Sequence, residues 1–66
     1  MNAYVKVETH HETVERIEMT IRTRHGVTDS QLTRWLVNEG MRRYEAEDIV
    51  FEARQNLAGW HKGRSR

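Results

Sequence analysis

One stretch, residues 12–25, decides what this chain can fold into, because its apolar residues fit two periods at once. At the roughly 100° per residue of a helix, Val14, Ile17 and Ile21 gather on one side and Met19 points nearly opposite. At the two-residue period of a strand, Ile17, Met19, Ile21 and Thr23 share one face, with Glu18, Thr20, Arg22 and Arg24 on the other. Six β-branched residues (Thr13, Val14, Ile17, Thr20, Ile21 and Thr23) tilt local propensity towards the strand. The preceding residues 3–9 alternate more plainly: Val5 and Val7 lie on one face and Tyr4, Lys6 and Glu8 on the other, the pattern of a half-buried strand. If residues 14–24 are extended too, the two segments form a hairpin around His10-His11-Glu12.

Downstream the pattern is helical. Thr28 can cap a helix whose third residue, Gln31, reaches back to it, and Asp29 suits the positive end of the helix dipole. Leu32, Trp35, Leu36, Gly40 and Tyr44 follow at helical spacing, and a further stripe runs through Ala46, Ile49, Val50, Ala53, Leu57 and Trp60. Whether these form one helix or two depends on Gly40, which costs about 1 kcal/mol relative to Ala in a helix interior. In the hairpin architecture the helices span 29–39 and 44–58.

A chain of 66 residues makes one domain, here residues 1–60, followed by a basic tail at 61–66 that is expected to be flexible. Such a short chain leaves about 40% of its unfolded-state surface exposed, so small domains are propped by disulfides, a metal or self-association. There is no Cys to form a disulfide. Adjacent side chains such as His10, His11 and Glu12 diverge on either a strand or a helix, so a solvated turn is expected there and no metal site. Self-association is left as the prop. The longest apolar runs are two or three residues, too short to span a membrane, and the first residues lack a leader pattern, which gives a cytoplasmic expectation.

The net charge of +1 hides a segmented distribution. Residues 1–21 carry two basic and four acidic groups, residues 22–43 five and two, residues 44–60 one and four, and residues 61–66 three and none. Two basic blocks alternate with acidic ones, as solvated helix faces or as two phosphate-attracting patches. No nucleophile with a base and orienting partner is recognisable, and no glycine-rich phosphate loop, so neither an enzyme nor a cofactor is expected. His25, next to Gly26, reads as a turn or helix-terminal residue. Trp35 and Trp60 are candidate protein contacts, with Trp35 on an apolar stripe and better suited to a core, and Trp60 beside the basic tail better suited to a partner.

The segment Tyr4-Val5-Lys6-Val7, the helix-length stretch ending in Gly26, and Gly26-Val27-Thr28-Asp29-Ser30-Gln31-Leu32 through Tyr44 together resemble the ribbon-helix-helix family of DNA-binding proteins. The resemblance covers residues 4–44 and is densest at the turn. It implies an α+β fold with a short N-terminal strand followed by helices, and an obligate homodimer whose paired strands enter the DNA major groove. Under it Tyr4, Lys6 and Glu8 meet base edges, with Glu8 able to accept only from a cytosine amino group. The first amides of the second helix, at Thr28, Asp29 and Ser30, hold a phosphate, and Arg22, Arg24 and Arg34 add backbone contacts. The expected function is a small dimeric transcriptional regulator, a repressor or antitoxin-like protein of phage or plasmid type. The alternative is a protein-binding inhibitor or adaptor built on the hairpin and the helical pair.

Overall fold

A computed structural model describes residues 8–59, and among them the chain is three helices with no strand: α1 (His10–Thr23), α2 (Asp29–Asn38) and α3 (Arg43–Leu57). The expected α+β architecture is therefore corrected in both its forms. The stretch that would have been the second strand of a hairpin, residues 14–24, is the body of α1 and its C-cap. Of the expected N-terminal strand at residues 3–9, residues 3–7 lie outside the described residues. Thr9 is the N-cap of α1 and Glu8 precedes it without regular structure.

The reason α1 defeats its β propensity is local as well as tertiary. Thr9 and Glu12 form a capping box: the Glu12 amide donates to Thr9 Oγ1 at 3.1 Å and the Thr9 amide donates to Glu12 Oε1 at 3.0 Å. His10-His11-Glu12, expected as a turn, is thus the first turn of a helix. The threonines that argued for a strand are accommodated by donating back to carbonyls one turn earlier, Thr13 to Thr9, Thr20 to Arg16 and Thr23 to Met19, at 2.9 to 3.0 Å. Burial adds the rest. Val14 and Ile17 are enclosed, Ile21 packs beside them, and Met19 stands on the opposite face, 56% exposed.

Gly40 separates α2 from α3. Its φ of +110° is a left-handed conformation that L side chains rarely adopt. The Gly40 amide donates to the Val37 carbonyl and the Met41 amide to the Leu36 carbonyl, while Met41 packs on the core, which is the Schellman arrangement that ends a helix. At the other end of α2 the anticipated Thr28–Gln31 box is present, with both reciprocal bonds.

The helices share one core of Val14, Ile17, Leu32, Leu36, Ala46, Ile49, Val50 and Ala53. α3 packs on both α1 and α2, which meet each other only sparingly. His10 reaches Glu52 and Glu18 reaches Asn56, so α1 and α3 run in the same sense. Asp29 at the start of α2 meets Arg54 late in α3, so α2 runs the other way. Tyr44, expected to continue the apolar stripe of α2, falls on the far face of α3 and is 60% exposed. No helix among the described residues is long and apolar enough to cross a membrane.

Candidate nucleic-acid interface

The described arginines divide into two groups. Arg16, at the middle of α1, is held by two carboxylates: Nε and Nη2 donate to Glu8 at 2.9 and 3.0 Å, and Nη1 and Nη2 donate to Glu39 at 3.2 and 2.8 Å. Its carbon centre also lies 5.9 Å from the ring centroid of Trp35. The hydrogen bonds that Arg16 donates to Glu8, then those to Glu39, raise its pKa above the ordinary arginine value, so the group stays charged. Arg43 is paired with Glu47 one turn on, and Arg54 with Asp29 and the Val27 carbonyl. These arginines belong to the fold.

Arg22, Arg24, Arg34 and Arg42 have no carboxylate partner among the described residues. Three of the four fall within residues 22–34, around the five-residue connection between α1 and α2 and on the exposed side of α2. The one carboxylate in that segment, Asp29, is already bound by Arg54 at 2.7 Å. The other described acidic residues lie outside that segment: before α1 and along it as far as Glu18, at Glu39 after α2, and on α3. His25 and Ser30 are exposed beside the unpaired arginines.

Residues expected to contact DNA are therefore only partly brought together. Tyr4 and Lys6 lie outside the described residues, as does Trp60, expected as a protein contact. Glu8, assigned by the resemblance to a base-reading face, accepts from Arg16 and from the Thr13 hydroxyl and is a structural tie. The Thr28 amide is used in the capping box, leaving those of Asp29 and Ser30 without an acceptor among the described residues. Trp35, better suited to the core by its spacing, is 41% exposed, because it sits on the edge of α2 that faces α1 across an opening.

That opening is a recess of about 870 Å³ between the end of α1 and the start of α2, lined by Arg24, His25, Gln31 and Trp35 among others, with no acidic side chain among the described residues in its wall. Gln31 and His25 were not anticipated as site residues. The Thr28-to-Gln31 spacing marked Gln31 as a cap, but the recess depends on how two helices diverge, which no local pattern encodes. On the other edge of α2, a groove of about 480 Å³ runs against α3, with Val37 and Phe51 exposed along it and Arg34, Arg43 and Glu47 on its rim.

No group of three His, Asp or Glu side chains is placed to hold a metal among the described residues. His10 meets Glu52, His11 meets Glu15, and Glu12 is the cap partner. Neither protein-family models, characterised proteins nor solved structures give a match to this chain.

Proposed function

We propose that this protein is a small DNA-binding regulator that uses α2, and not a β-ribbon, as its reading element. The observation that carries the proposal is that Arg22, Arg24 and Arg34, at the end of α1, in the α1–α2 connection and on the exposed side of α2, are all exposed and have no acidic partner among the described residues. An unpaired guanidinium costs the fold nothing in water and gains most where an anion is presented. A polyanionic backbone presents anions at regular spacing. Two helices joined by a short turn, the second laid in the major groove, are an established way of delivering such side chains. The α2 surface suits that use: Ser30, Gln31, Arg34 and Asn38 are exposed, while Leu32 and Leu36 anchor the opposite face in the core.

The α2–α3 groove favours a second reading, in which the module binds protein. Phe51 is 65% exposed and Val37 lies across from it, an apolar strip on a domain with a small core. A second copy of the chain is the occupant that reconciles both readings, since the rim carries both signs of charge and a symmetric pair would double the basic surface.

Titration of a fluorescent duplex at increasing salt tests the DNA reading. If three arginines engage phosphates, affinity falls with a log–log slope of about −2.7 per chain, or about 40-fold between roughly 50 and 200 mM salt. Failure to bind duplex at low salt, together with a stable complex with a protein through Phe51, would favour the second reading.

A further inference from the structure

Two segments of the chain, residues 22–34 and 54–66, together hold seven of its eleven Lys and Arg residues and one of its ten Asp and Glu residues. They are distant in sequence, and the fold joins them. Arg54, in the last turn of α3, donates to the Val27 carbonyl at 2.9 Å and to Asp29 at 2.7 Å, and Asn56 donates to Glu18 at 2.6 Å. The end of α3 is therefore seated beside the connection from α1 to α2, where Arg22 and Arg24 are exposed and have no acidic partner among the described residues. The chain leaves this end of the bundle at Gly59, and the sequence continues through residues 60–66 with Lys62, Arg64 and Arg66 and no acid. Seven residues reach at most about 25 Å, less than one turn of duplex DNA, which is about 34 Å.

Resting on the DNA reading above, we infer that residues 60–66 are a second phosphate-binding arm, whose Lys62, Arg64 and Arg66 engage the same duplex as Arg22 and Arg24. Cations gathered at one end attract a polyanion even on a chain whose net charge is +1. The rest of the chain is acidic, so a second copy is the rival occupant of this end. It offers little, because most of the described carboxylates there are already bonded within the chain: Glu8 and Glu39 hold Arg16, Glu47 holds Arg43, and Glu52 and Glu15 meet His10 and His11. A nucleic-acid backbone carries its charge along its whole length. Three arginines alone account for a log–log salt slope of about −2.7, and three further contacts steepen it to about −5.4, roughly 2,000-fold in affinity between about 50 and about 200 mM salt.

The test compares the full chain with the full-length variant Lys62→Gln/Arg64→Gln/Arg66→Gln, each titrated with a short fluorescent duplex over a range of salt, with melting temperature measured in parallel. The expected result is a slope of about −5.4 for the unaltered chain and about −2.7 for the variant, at equal melting temperature. Sedimentation of the low-salt complex should show no more duplexes than chains, since both sets of cations lie on one duplex. A slope that differs by less than about one between the two proteins, or complexes holding more duplexes than chains, overturns this inference and leaves DNA binding standing. No binding of duplex by the unaltered chain at low salt overturns DNA binding and the inference together. Self-association without DNA that the variant loses would assign the arm to a second copy, and also overturns the inference.

Discussion

Two regions of this small protein hold arginines in opposite ways. At the middle of α1, Arg16 is enclosed by Glu8 and Glu39 and lies over Trp35, so that the segment before α1 and the end of α2 are tied to the same guanidinium. At the end of α1, in the connection that follows and on α2, Arg22, Arg24 and Arg34 are exposed, and the one acid between them in sequence, Asp29, is paired with Arg54. The first arrangement converts charge into structure. The second leaves charge available, and on a chain with a net charge of only +1 such a local excess is what gives a surface its sign.

Substitutions in the two regions should separate accordingly. The largest effect on stability is expected from Arg16→Ala, which leaves Glu8 and Glu39 without their shared cation and loses four hydrogen bonds. With the side chain about one-third exposed, solvent screening limits the loss to about 1 to 2 kcal/mol. Urea denaturation measures it, and a loss below the error of the fit would mean that the network is ornamental.

A smaller effect, about 1 kcal/mol, is expected from Gly40→Ala. No atom lies within 4 Å of the added Cβ, so the cost is that of holding Ala at φ +110° and nothing else. Thermal unfolding should show it as a drop in Tm with the helical content of the native state retained. The double substitution Arg24→Ala/Arg34→Ala should change stability by less than about 0.5 kcal/mol, since neither side chain has a partner among the described residues, yet weaken DNA binding most at low salt. A variant pair in which Arg16→Ala is neutral and the double substitution unfolds the protein would invert the comparison.

How much of this was legible in the sequence depended on distance along the chain. The Thr28–Gln31 cap and most of the two stripes are local patterns and are present as read, but Trp35 is at the edge of its face, Gly40 and Tyr44 lie beyond the end of α2, and Trp60 is outside the described residues. Thr9 and Glu12 carry the same cap spacing, but there the alternation of Val5 and Val7 and the β-branched residues of α1 pointed the other way. Propensity lost to a capped start and a buried face, as it often does when a helix has another helix to pack on. Whether an arginine is paired was not legible at all. Arg16 finds Glu39 at 23 residues' separation and Arg54 finds Asp29 at 25, so only the folded arrangement distinguishes them from Arg24 and Arg34.

The most direct test of the proposed interface is an NMR titration of the labelled full chain with duplex DNA, following backbone amides and the Trp35 indole at two salt concentrations. Shifts concentrated in residues 22–38 and suppressed by salt are the expected result. Shifts confined to Tyr44, Phe51 and the outer face of α3, or none at all, would contradict the assignment of the unpaired arginines to DNA.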